Sequence, residues 1–142
     1  MKILLAVDGS PHSDKATKAL IKHAALYNKA PEIFLLYVHL PVPNLPGMHR
    51  VISRNAIKRY YREESEEALA NSGRLLNRAK IIHRALMFVG PVAETIIEQA
   101  KARNCDLIYM GTRGMGGLKN MLLGSTAVKV LRLATIPVVL VK

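Results

Sequence analysis

The sequence predicts an α/β protein built on an open, five-stranded parallel sheet with helices on both faces. Three observations lead there. Five short apolar runs recur along the 142 residues, each bounded by Gly, Pro or Asn. Between them lie segments whose apolar residues return at three- and four-residue intervals, so strand and helix alternate throughout. The runs are apolar at consecutive rather than alternate positions, as strands covered on both faces are, and alternating elements require crossovers that place helices on both sides. Half the chain is apolar, enough for one substantial core, so a single domain over 1–142 is expected.

Lys2 to Asp8 reads as the first strand, ending on a carboxylate. Gly9-Ser10-Pro11 breaks it, and a helix is expected to start at Ser10 or Ser13, where a hydroxyl can cap it, with Ala16, Leu20, Ala24 and Tyr27 inward. Glu32 to His39 is the second strand, and Pro41, Pro43, Pro46 and Gly47 follow in an extended loop. Residues 48–79 carry apolar positions at helical intervals and read as one long helix, with a break expected near Asn71-Ser72-Gly73. Its Arg50, Arg54, Lys58, Arg59 and Arg62 precede Glu63, Glu64, Glu66 and Glu67, the unfavourable order for a helix macrodipole. Ile81 to Val89 is the third strand, and Gly90-Pro91 opens a helix with Ala93, Ile96, Ile97 and Ala100 inward and Asn104 at its end. Leu107 to Met110 is the fourth strand. Ala127, Val130, Leu131 and Ala134 then mark the inner face of the last helix, and Ile136-Pro137 leads into the fifth strand, Val138 to Val141.

Chemistry concentrates between the fourth strand and the last helix. Gly111, Gly114, Gly116 and Gly117 can turn the backbone through positive φ and let an anion approach the amides without Cβ interference. Gly124-Ser125-Thr126 supplies an N-cap and free N–H groups at a helix start, where the dipole also favours negative charge. Asp8, at the carboxyl end of a strand, can accept from sugar hydroxyls, or else cap its own turn. Two better-known phosphate motifs fail: Gly117 stands where a Walker loop needs lysine, and Lys119 stands where a dinucleotide motif needs its third glycine.

The pattern Gly111-x2-Gly114-x9-Gly124-Ser125, together with Val7-Asp8-Gly9-Ser10 and the apolar C-terminal strand, resembles the ATP-binding branch of the universal stress protein family over essentially the whole chain. The resemblance implies a Rossmann-like sheet of the adenine nucleotide alpha hydrolase type, in strand order 3-2-1-4-5, which would bring Asp8 and Gly111 to neighbouring strand ends. It implies that Asp8 and Gly111 hold a ribose, that Val7, Val38 and Met110 flank the base, and that Gly114, Gly124, Ser125 and Thr126 hold phosphates, with Arg113 and Lys119 adding charge. ATP is the implied ligand, with Mg2+ or Mn2+ accompanying it, and the implied role is that of a nucleotide-dependent stress-response module. A homodimer through Val138 to Val141 is also implied. An unpaired apolar edge strand invites aggregation, which argues for the dimer independently.

Two other functions compete. A slow ATP hydrolase or phosphoryl transferase would need a positioned base and charge neutralisation; motifs offer only Asp8 and Ser125, so at most weak ATPase activity is expected. A basic nucleic-acid or anion binder would rest on the net charge of +11, from 21 Lys and Arg against 10 Asp and Glu, which attracts polyanions without choosing among them. Two Phe, no Trp and five Tyr make no stacking ladder for bases, so such binding would be non-specific. His39 and Cys105 have no ligand-spaced partners and read as structural, His39 packed or solvent-facing and Cys105 a small hydrophobe. The single cysteine excludes an internal disulfide framework. With no leader pattern and no run of membrane-spanning length, a soluble cytoplasmic protein is expected.

Overall fold

The computed structural model describes residues 1–43, 46, 52–115 and 122–142. Five parallel strands run β1 (Lys2–Ala6), β2 (Glu32–His39), β3 (His83–Val89), β4 (Leu107–Gly111) and β5 (Val138–Val141), and they lie side by side as β3-β2-β1-β4-β5. Among the described residues four helices connect them: α1 (Pro11–Ala24), α2 (Arg54–Arg78), α3 (Val92–Ala102) and α4 (Ser125–Leu133). The fold class and strand order are those expected.

Strand alternation sends successive side chains to opposite faces, and each face has its own core. Ile3, Leu5, Val7, Ile33, Leu35 and Tyr109 pack with Ala16 and Leu20 of α1 and Leu69 and Leu76 of α2. On the other face Leu4, Ala6, Phe34, Leu36, Val38, Ile108 and Met110 pack with Ala93 and Ile96 of α3 and Ala127 and Val130 of α4. Ile3, Leu4, Leu5, Ile33, Leu36 and Ile108 are fully buried, each worth about 1.5–3 kcal/mol against exposure. This explains the consecutive apolar residues of the central strands. The edge strands differ: β3 alternates half-buried with exposed residues, and every residue of β5 is half-buried.

Several boundaries depart from expectation. α2 is unbroken through Asn71-Ser72-Gly73: Ser72 turns inward, its hydroxyl 2.9 Å from that of Thr17 on α1, and Gly73 has only ordinary packing room against His83 and Leu35. Arg50 and Val51 lie outside the described residues. α1 stops at Ala24, so Tyr27 packs on the core from beyond the helix. β3 begins at His83 rather than Ile81 because residues 80 and 81 close α2: Lys80 is left-handed (φ 57), its N–H reaches Asn77 O, and that of Ile81 reaches Leu76 O. α3 closes the same way, with Asn104 at φ 52 and Cys105 N on Ala100 O, as the sequence suggested. Leu131, expected inward, is 43% exposed, as is Val128.

Candidate functional site

The register pairs Ala6 with Met110, and the ladders run on: Val7 N donates to Leu36 O and Thr112 N to Val141 O, both at 2.9 Å. β1 and β4 therefore end beside each other, while β2 runs on past Leu36 to His39. Connections from β1 and β4 depart to opposite sides, since β2 lies to one side of β1 and β5 to the other side of β4. That divergence opens a crevice at the carboxyl ends of the strands. A cavity of about 530 Å3 lies there, walled by the strand ends and the start of α4. Its size is that of a small-molecule site.

All ten residues singled out in the sequence are on its wall. Val7, Val38 and Met110 contribute apolar surface and are buried. Asp8, Gly111, Arg113 and Gly114 come from the ends of β1 and β4, and Gly124, Ser125 and Thr126 from the start of α4. Gly116, Gly117 and Lys119 lie outside the described residues.

Asp8 does the turn-capping that its position allowed, and more. Its Oδ1 accepts from Ser10 N at 3.0 Å and from the Ser13 hydroxyl at 2.7 Å, while Ser13 Oγ accepts from Asp8 N at 2.9 Å. Its Oδ2 accepts from Met115 N at 2.9 Å, so one carboxylate ties the first strand to the glycine loop. A carboxylate has about four acceptor positions, so three bonds do not exhaust it.

The glycines do not supply the turn conformation expected of them. Positive φ was anticipated at Gly111 and Gly114; among described glycines only Gly9 has it, at φ 78. Gly111 is a strand residue that needs to be small, because a Cβ there would sit 2.9 Å from His12 Cβ and 3.0 Å from His12 O. At Gly114 a Cβ would sit 2.5 Å from Asp8 Oδ2. At Gly111 close approach of the His12 backbone excludes a side chain, and at Gly114 a side chain would have to displace the Asp8 carboxylate.

The start of α4 also differs from expectation. Gly124 itself is the N-cap, with no side-chain cap bond, so Ser125 and Thr126 open the helix without capping it. The first helical bond is Val128 N to Gly124 O at 3.1 Å. The amides of Ser125, Thr126 and Ala127 thus precede the helical ladder, on residues that line the cavity. Gly124 N donates to Thr112 O at 2.7 Å, fixing this helix start against the end of β4. An array of amides at the positive end of a helix dipole suits an anion.

Sequence reasoning missed four polar side chains of this wall, those of Ser13, Tyr37, His39 and Thr112. Burial raises the Tyr37 hydroxyl above the usual phenol range, and Glu64, Tyr60 and Asp8 push the same way, so it stays a neutral donor. His39, read as structural or solvent-facing, stands at the cavity edge with its ring against those of Tyr37, Tyr60 and Tyr61 and Nδ1 on Leu40 O. That contact assigns the proton to Nδ1. Thr112 falls on a variable position of the glycine pattern and carried no sequence signal, and Ser13 was marked only as a candidate cap, its tie to Asp8 being made by the fold.

The model of the universal stress protein family matches residues 1–142. Among curated relatives, a universal stress protein of Methanocaldococcus jannaschii is 34% identical over 141 residues, covering 99% of this chain and 81% of its own length. A solved structure of another protein from that organism superposes with a TM-score of 0.80 at 29% identity, covering 99% of this chain and 94% of the other. The universal stress protein of Archaeoglobus fulgidus, solved in complex with dAMP, shares the fold at a TM-score of 0.69 and 21% identity, with 100% and 98% of the two chains covered.

Proposed function

The chain belongs to the universal stress protein family, and on that footing we propose that it binds ATP in the cavity at the ends of β1 and β4 and acts as a dimeric, nucleotide-dependent stress-response module. The observation that carries the reading is the pairing, on one wall, of an apolar recess with a helix start whose amides have no side-chain cap. A base fits the first and phosphates the second.

Val7, Val38 and Met110 would flank the adenine, and Asp8 with the Gly111 backbone would take the ribose hydroxyls. Gly114, Gly124, Ser125 and Thr126 would hold the phosphates, with Arg113 supplying positive charge. That adenine nucleotides occupy a protein of the same fold is consistent with this assignment. Among the described residues Asp8 is the one carboxylate on the cavity wall, and no group of three His, Cys, Asp or Glu could hold a metal. Mg2+ or Mn2+ would therefore ride on the nucleotide, with phosphate oxygens and water as most of its ligands.

The dimer reading is supported by β5, a half-buried apolar strand at the sheet edge, and by Val128, Leu131 and Leu133 of α4, each over 40% exposed. Light scattering would show a dimer that Val139→Glu shifts to monomer. For the ligand, calorimetric titration is the test. Saturable heat with ATP supports the reading; no heat and no thermal stabilisation at millimolar ATP eliminates it.

A further inference from the structure

Thr112 is 7% exposed, lines the cavity, and carries a buried hydroxyl without a hydrogen-bond partner. Its backbone is fully used, N–H on Val141 O and carbonyl under Gly124 N–H. The buried hydroxyls of Ser10, Ser13, Thr17, Ser65 and Ser72 each have a partner within the chain, and Thr95, also buried, does not line the cavity. His12 Nδ1, the other unpartnered buried side-chain atom among the described residues, is on a residue that does not line the cavity. A buried hydroxyl without a partner destabilises the protein that contains it, so a chain keeping one on a cavity wall points to a partner that arrives from outside.

Position along β4 says which part of a ligand that is. Strand alternation puts Thr112 on the face of Met110, the side on which Ala127 of α4 packs. Gly111 lies between them, and the Thr112 carbonyl holds the N-cap of α4. Resting on the nucleotide reading above, we infer that the Thr112 hydroxyl is a phosphate ligand that donates to the phosphate nearest the sugar. The order along the strand is then base at Met110, ribose at Gly111 and first phosphate at Thr112, before the chain crosses to the amides of α4. Phosphate oxygens only accept, and the hydroxyl has a proton to give.

Calorimetry with adenosine, AMP and ATP on the wild type, Thr112→Val and Thr112→Ser tests this. The expected result is at least about tenfold weaker AMP and ATP binding by Thr112→Val with adenosine unchanged, while Thr112→Ser stays within about threefold of wild type. The ligand-free melting temperature of Thr112→Val should be no lower than wild type, because an unpartnered hydroxyl supports nothing in the empty protein. Wild-type affinity of Thr112→Val for AMP and ATP, an equal loss for adenosine, or a lowered melting temperature each overturns the inference and leaves the nucleotide reading standing. A wild type that binds none of the three overturns the nucleotide reading itself, and the inference with it.

Discussion

α1 and α4 both start at the carboxyl end of the sheet, α1 soon after β1 and α4 where Gly124 N is held on Thr112 O beside the end of β4, and they finish those beginnings differently. At α1 the chain serves its own donors: the Ser10 side chain accepts from Ser13 N at 3.3 Å, and Asp8 and Ser13 exchange bonds around it. At α4 the N-cap is a glycine with no side chain to offer. The first is a helix start closed by its own residues; the second is left open beside a cavity. Both have the same dipole, so what separates them is the presence or absence of a competing acceptor.

Gly111, where β4 presses against the first turn of α1, is where the contrast can be broken most severely. Gly111→Val should destabilise the fold by about 3 kcal/mol in urea unfolding, because its Cβ meets the His12 backbone rather than a movable side chain. At the closed start Ser13→Ala should cost about 2 kcal/mol, leaving Asp8 N and Asp8 Oδ1 without their partner. Ser125→Ala at the open start should cost under about 0.5 kcal/mol, and equal losses at the two serines would erase the distinction.

Gly124→Asp converts the open start into a closed one. A Cβ there would meet Arg113 and Thr112 at ordinary contact distances of 3.4 Å. We expect a melting temperature unchanged or slightly raised and ATP bound about tenfold more weakly, since the carboxylate takes the amides and repels phosphate. The smallest effect concerns how α4 is held apart from its amides. The Lys129 hydrogen bond draws the Glu94 carboxyl below the ordinary glutamate range, so this α3–α4 contact stabilises above the unfolded value and is lost as pH falls through the lower folded one. Glu94→Gln should therefore lower the melting temperature slightly at pH 7, and the difference should fade as pH drops through the lowered folded value, in thermal scans across pH.

Most of the fold was legible because the central strands are buried on both faces, which makes their sequences continuously apolar and hard to mistake. The residues of the cavity wall were legible as a spacing pattern, yet their physical reasons were not. Positive φ was assigned to Gly111 and Gly114, whereas the left-handed glycine is Gly9 and the other two are small because His12 and Asp8 pass against them. Such close approach joins residues about a hundred positions apart, and no local pattern records it. Thr112 was missed for the same reason: its significance lies in a partner it lacks. The break expected at Asn71-Ser72-Gly73 failed because Ser72 has Thr17 opposite, again a tertiary fact. The basic-before-acidic order along α2 has no structural account: Arg54, Lys58, Arg59 and Arg62 form none of the ion pairs found among the described residues.

The most direct measurement is amide-resolved NMR during titration with ATP. The largest shifts should fall on the amides of Ser125, Thr126 and Ala127, with Gly111 and Gly114 close behind, and the amides in the first turn of α1 should stay still. Shifts scattered over the basic surface and abolished by salt, with the start of α4 unmoved, would contradict the account.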